Sequence, residues 1–233
     1  MRFNIPTLCL VTDRQRCNGR RIEDVVDAAI DGGVGLVQLR EKDLPAVELY
    51  RLALRLKDVV GNRALLFVND RVDVALVAGA DGAQLGETAL PLQAARQIAG
   101  GKLLLGRSVH SVDGAVEAQF QGADLLTLGT IFPTASHPGG ITGGIALVRE
   151  VAAAVDLPFL GIGGIDAENV GDVIAYGASG AAVITTITTA PDPSAAATSL
   201  RDAMRSAFSP CALRAMRLRF TPGNFKQDGN DHD

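Results

Sequence analysis

The stretch "GGVGLVQLREK" (residues 32–42) contains in miniature the pattern that recurs along this chain. Its glycines can end a helix in the left-handed conformation and release the backbone into a strand. A short apolar run follows, and Gln38, Arg40 and Lys42 recur at every second position within and just past it. Alternate residues of a strand share a face. If Val37 and Leu39 point outward to a layer of helices, Gln38 and Arg40 point the other way, with Lys42 just beyond the strand end.

Runs of the same length occur at "TLCLVT" (7–12), "ALLFVN" (64–69), "GAQLG" (82–86), "KLLLG" (102–106), "LLTLG" (125–129), "PFLGIG" (158–163) and "GAAVIT" (180–185). Each is bounded by Gly, Asn or Asp, as buried parallel strands are. Amphipathic helical patterns lie between them. Ile22, Val25, Val26, Ala29 and Ile30 fall on one helical face, as do Leu49, Leu52, Ala53, Leu56 and Val60. Asp70, Ser111 and Asp166 are candidate helix starts. A weak repeat, "GGVG" (32–35), "GADG" (79–82), "GAD" (122–124) and "GASG" (177–180), stands before every even-numbered strand. That is fourfold quasi-symmetry over eight βα units. It predicts an α/β fold, a single (β/α)8 TIM barrel, and the 233 residues are close to the roughly 250 typical of one. An open doubly wound sheet is the alternative, which the regular eight strands and the glycine repeat disfavour. The expected barrel domain spans 1–206. Residues 207–233, with Pro210, Pro222 and an Asp-rich end, read as a C-terminal tail, partly disordered.

The net charge of −4 and the lack of a basic run argue against nucleic acid as a partner. No segment approaches the roughly 18 apolar residues of a membrane span, and "MRFN" leads straight into a core-like strand, so a cytoplasmic protein is expected. Cys9, Cys17 and Cys211 show no metal or redox spacing and read as reduced thiols. Small anionic molecules remain suitable partners, and self-association into a homo-oligomer is left open.

A barrel of this type builds its site at the C-terminal strand ends. After strand two, Gln38, Arg40 and Lys42 suit a phosphate or diphosphate, unless the charges are merely solvated. After strand three, Asp70 is either the N-cap of a helix starting at Arg71 or an oxygen ligand for Mg²⁺. Strand five leads into "GRSVHS" (106–111), where Ser108 reaches the cavity and His110 is either structural or an acid/base. The longest loop, "TIFPTASHPGGITGG" (130–144), has the form of a lid or binding loop and carries Thr134, Ser136 and His137. "GIGG" (161–164) and Thr185–Thr186 form the phosphate-binding pattern of the last two strands, unless the glycines serve tight turning alone. Two anion sites at one mouth imply a bisubstrate transferase or a doubly phosphorylated substrate.

Taken together, "LVTD" (10–13), "VQLREK" (37–42), "NDRVDVAL" (69–76), "GADGAQLG" (79–86), "IFPT" (131–134), "GIGGI" (161–165) and "VITTI" (183–187) resemble the thiamin-phosphate synthase and thiazole tautomerase superfamily over about residues 7–206. The resemblance implies a transferase that joins hydroxymethylpyrimidine diphosphate to a thiazole phosphate carboxylate, releasing pyrophosphate and CO2, with Mg²⁺ as cofactor. It implies that Gln38, Arg40, Lys42 and Asn69 hold the diphosphate, with Ser108 on the pyrimidine substrate and Asp70 on the metal. Thr134, Ser136, Gly164, Ile184 and Thr185 would hold the thiazole phosphate. Arg40, Lys42, Ser108 and His137 would carry the chemistry. Two positions depart from the synthase pattern. Ala89 stands where the second Mg²⁺ ligand belongs, leaving Glu87 to substitute, and His137 takes the place of a loop Lys. "GRSVHS" is closer to the tautomerase, whose reaction needs an acid/base and no metal, but Thr130 occupies the position of its histidine, so His137 or His110 would have to serve. The diphosphate cradle favours the synthase. A thiazole-phosphate binding protein without chemistry is the third alternative.

Overall fold

The structure, a computed structural model, describes residues 5–134 and 141–208. Ser136, His137, Cys211 and the tail beyond Phe208 lie outside the described residues. The strands are β1 (Thr7–Val11), β2 (Leu36–Leu39), β3 (Leu65–Asn69), β4 (Gly82–Leu85), β5 (Leu104–Val109), β6 (Leu125–Leu128), β7 (Phe159–Ile162) and β8 (Gly180–Val183). They pair in parallel in that order, and β8 closes on β1. The helices are α1 (Ile22–Asp31), α2 (Ala46–Val60), α3 (Val72–Val77), α4 (Leu92–Ala99), α5 (Val112–Phe120), α6 (Gly144–Ala154), α7 (Val170–Ala175), α8 (Thr185–Thr188) and α9 (Pro193–Ala207). The expected (β/α)8 barrel is the observed one. Its last helix ends one residue past the expected boundary at 206.

Both expected helical faces are buried residue for residue: Ile22, Val25, Val26, Ala29 and Ile30 on α1, and Leu49, Leu52, Ala53, Leu56 and Val60 on α2. They pack on the outward strand residues, Val37 and Leu39 among them, in the layer between helices and barrel. Inside the barrel a smaller cluster of Cys9, Val11, Leu36, Phe67, Leu125, Leu160 and Ala182 fills the lower part. Burial pushes the Cys9 thiol up to about 12, consistent with an inert thiol. Small residues make room for large ones across the interior. A Cβ on Gly82 would lie 2.5 Å from Phe67 Cζ, and one on Gly106 would lie 2.0 Å from Gln84 Oε1. Above the apolar layer the inward residues turn polar: Gln38, Asn69, Gln84, Ser108 and Thr127. That gradient gives the barrel a solid base and a hydrophilic floor to its mouth.

The repeat before the even strands has two physical parts. Gly33, Gly79, Gly122 and Gly177 all have positive φ, which lets the chain leave each helix without steric cost. In two of the four copies the following aspartate ties three elements together. Asp81 Oδ2 accepts from the Leu66 N–H of β3 at 2.8 Å and from Lys57 Nζ of α2 at 2.9 Å. Asp124 Oδ2 accepts from the Leu105 N–H of β5 at 2.7 Å and from Arg96 Nη2 of α4 at 2.6 Å. Ser179 takes that place in the last copy, and its buried hydroxyl has no hydrogen-bond partner among the described residues. Asp124→Ala strands the amide of fully buried Leu105, which costs about 1–3 kcal/mol. Urea unfolding should show that loss, and a midpoint equal to the parent's would refute the tie.

Two expected helix starts are revised. Ser111 caps α5 as expected, its Oγ accepting from Gly114 N–H at 3.1 Å. Asp70 does not cap α3, because at φ 59° its carboxylate swings across to β4. Asp166 opens a turn rather than the helix: its Oδ1 accepts from Glu168 and Asn169 N–H, and α7 starts only at Val170.

Candidate active site

The C-terminal strand ends open on one cavity of about 540 Å³. Arg40 and Lys42 line it from the β2 side, and Gly163, Gly164, Ile184, Thr185 and Thr186 line it from the β7 and β8 side. The two expected anion sites therefore share a chamber. Of the expected site residues that are described, Gln38, Arg40, Lys42, Asn69, Asp70, Glu87, Ser108, Thr134, Gly164, Ile184 and Thr185 all line it.

The floor is a relay of amides and a carboxylate. Gln38 Nε2 donates to Asn69 Oδ1 at 2.8 Å, and Asn69 Nδ2 donates to Asp70 Oδ2 at 2.8 Å. Asp70 Oδ1 accepts from the Gly86 N–H at 2.8 Å. Gln38 thus has a partner within the protein, a reason for its burial that the strand pattern alone does not supply. The relay fixes Asn69 and Asp70, and it leaves the Gln38 carbonyl oxygen and the second hydrogen of each amide to a ligand. Gln84 Nε2 donates to Ser108 Oγ at 3.1 Å, orienting that hydroxyl toward the cavity. Arg107 and Ser108 belong to β5, which runs on through Val109 instead of ending at Gly106. Their polarity reads as loop in the sequence, but Ser108 lines the cavity and Arg107 Nη1 reaches the Gly86 carbonyl at 2.9 Å.

Among the described residues the side chains of Arg40 and Lys42 make no ion pair. The acid between them, Glu41, turns away and is buried. It accepts from the Arg14 N–H at 3.0 Å and from the Thr12 hydroxyl, while Thr12 Oγ1 accepts from the Arg40 N–H at 2.9 Å. Burial pushes the Glu41 carboxyl above its usual range, against the opposing pull of Thr12 and Arg14. The alternation in "REK" therefore separates two cations for the cavity from an acid that anchors the strand end.

His110 also lines the cavity. Its Nδ1 meets the Gly129 carbonyl, and its Nε2 lies 3.7 Å from Glu87 Oε1. Ala89 lies outside the cavity lining, its methyl packed against the core, so Glu87 is the acid that this loop offers to the mouth. Among the described residues no group of three or more His, Cys, Asp or Glu is arranged to hold a metal ion. No helix among them is long and apolar enough to cross a membrane.

The turn after β7 is shaped by contact as well as by conformation. Gly163 and Gly164 have φ of 105° and 61°. A Cβ on Gly164 would lie 2.4 Å from Pro133 O, so the turn sits directly against the loop that leads to Thr134. Asn169 Nδ2 donates to Gly164 O, and Thr186 Oγ1 donates to Ile165 O, tying the turns after β7 and β8 to each other. Gly163, Gly164, Ile184, Thr185 and Thr186 line the cavity, and among the described residues the Gly163 and Gly164 amides and the first amides of α8 have no backbone acceptor. Tight turning and the exposure of these amides at the cavity wall are compatible in one geometry. Asp13 and Arg16, from the loop after β1, line the same cavity. The rule that placed the other residues reaches them too, since they follow directly on a strand end.

The comparisons with known proteins agree with this geometry. A family profile described as thiamine monophosphate synthase matches residues 8–187. A thiamine-phosphate synthase of Methanoculleus marisnigri is 45% identical over 202 residues, covering 86% of this chain and 96% of that one. A protein of the same description from Haloarcula marismortui is 44% identical over 200 residues, covering 84% and 95%. Among solved structures, a thiamine phosphate pyrophosphorylase from Pyrococcus furiosus superposes with a TM-score of 0.80 at 35% identity, covering 87% of this chain and 97% of its own.

Proposed function

This chain belongs to the thiamine monophosphate synthase family, and from that premise we propose that it joins a pyrimidine diphosphate to a thiazole phosphate in the cavity described above, releasing pyrophosphate. It is an enzyme, a transferase of a pyrimidinylmethyl group. The observation that carries the assignment is the pairing of the Arg40–Lys42 cations with the amide-lined turns after β7 and β8 in a single chamber. A tautomerase has one phosphate to hold and no use for the first of these sites.

Each element then has a task. Arg40 and Lys42 take up the charge that develops on the diphosphate as it departs, a preorganised electrostatic role. Asn69, held by Gln38 and Asp70, donates its remaining amide hydrogen to the same group. Ser108, fixed by Gln84, binds the pyrimidine substrate. Amides of Gly164, Ile184 and Thr185, with Thr134, hold the thiazole phosphate so that the ring nitrogen faces the pyrimidinylmethyl carbon. The cation formed when the carbon–oxygen bond breaks is captured by that nitrogen, and proximity supplies much of the rate.

Asp70 suits a Mg²⁺ that also binds the diphosphate, since such ions keep several waters and need only one or two carboxylates. Its carboxylate lies on the cavity floor and is oriented by the Gly86 and Asn69 donors, while Glu87 provides a second, exposed carboxylate at the rim. Bound there, the ion would neutralise charge on the leaving group. Incubating the full chain with both precursors and Mg²⁺ should give thiamin phosphate and pyrophosphate, and EDTA should abolish product. Failure to form product with metal and both precursors would rule out the synthase. Undiminished turnover in EDTA would remove Asp70 and Glu87 from the metal role and leave the rest standing.

A further inference from the structure

The loop between β1 and α1 has no part in the assignments above, yet it delivers a cation to the cavity. Arg16 sits on a short 3-10 turn, Arg14–Arg16, and lines the cavity beside Asp13. Its Nε faces Asp13 Oδ2 at 3.3 Å, and among the described residues its guanidinium makes no hydrogen bond and no ion pair other than this one.

The turn is braced from both sides. Toward β2, the Arg14 N–H is held by Glu41, and both terminal nitrogens of Arg14 donate to Asp43, at 2.8 and 2.6 Å. Toward β8, Asn18 Nδ2 donates to the Thr189 carbonyl at 2.9 Å, and Arg20 Nη2 donates to the Thr188 carbonyl at 2.9 Å. The turn itself packs against α8. A long cationic side chain on so fixed a base has lost part of its freedom already, which is the condition for an effective anion ligand.

Charge decides which anion. The β2 side already has Arg40 and Lys42. Among the described residues, the subsite after β7 and β8 offers only amides and hydroxyls to a phosphate that carries close to two negative charges. β1 lies next to β8 in the barrel, and the loop after β1 is fastened to the segment that follows β8. We propose that Arg16 is a further anion-binding residue of this active site, completing with Gly164, Ile184 and Thr185 the subsite for the phosphate of the thiazole substrate. The assignment rests on the synthase reading, and the neighbouring Asp13 offsets part of the Arg16 charge.

Calorimetric titration of the full chain with thiazole phosphate and, separately, with pyrophosphate and Mg²⁺ tests it without turnover. Arg16→Gln should weaken thiazole phosphate about tenfold or more, as expected for a lost charge-assisted hydrogen bond, and leave pyrophosphate binding unchanged. Arg16→Lys should recover part of the loss, and Arg21→Gln, at the exposed start of α1, should bind both as the parent does. Equal weakening of both ligands, or none, would overturn the assignment. A parent protein that binds neither ligand would instead bring down the synthase reading itself, and this subsite with it.

Discussion

Arg40→Ala is expected to raise the pyrimidine diphosphate concentration needed for half-maximal rate far more than that of thiazole phosphate, and to lower kcat by roughly 10²–10³. The position follows from the backbone. β2 ends at Leu39, the Arg40 N–H is fastened to Thr12 Oγ1, and the side chain lines the cavity with no ion pair among the described residues. An unpaired guanidinium on a fixed strand end stabilises a departing diphosphate without reorganising, and alanine removes that stabilisation where the charge is greatest. Steady-state kinetics with each substrate varied in turn measures the asymmetry. Equal effects on both Michaelis constants would contradict the placement of the leaving group beside β2. The fold should not suffer, since Arg40 makes no side-chain hydrogen bond or ion pair among the described residues.

Gly164→Ala is expected to be more damaging at the other subsite. At φ 61° an added side chain is strained, by about 1 kcal/mol or more, and its Cβ would meet Pro133 O at 2.4 Å and Phe132 Cβ at 2.9 Å. Neither neighbour is the free end of a flexible chain, so the turn and the loop that carries Thr134 must move apart. A shift of about 1 Å in a reacting group costs about 100-fold in rate. kcat/KM for thiazole phosphate should fall by about that factor or more, while calorimetry with pyrophosphate and Mg²⁺ shows the β2 site intact. A variant that keeps parental affinity for thiazole phosphate would show that the turn after β7 does not hold that group.

The eight-unit rhythm was readable because a strand buried on both faces leaves an unbroken apolar run. One glycine before each even strand marks a helix exit with positive φ. The residues of the site were readable where strand ends are sharp, as at Arg40 and Asn69. They were less so where a strand becomes polar because it lines a cavity: "GRSV" continues β5, although its composition resembles a loop. Asp70 illustrates another limit. A single acid ahead of a helix is a good cap by local rules, and only the Gly86 amide, sixteen residues on, draws it elsewhere. Gln38 finds its partner, Asn69, on the neighbouring strand, a contact that no local pattern records.

Periodicity and punctuation are properties of neighbours along the chain, so they are written in the order of the amino acids. From them came the barrel, the outward helical faces and the end of the barrel that holds the cavity. Whether two groups meet across the mouth depends on barrel closure, which joins β8 to β1 and brings together residues some 170 positions apart, as in the hydrogen bond from Asn18 to Thr189. Closure put Arg16 on the same cavity as the residues after β8, and the contact with the loop after β1 turned Glu41 away from the cavity that its two neighbours enter. Such contacts arise from packing at long range, where no local preference records them.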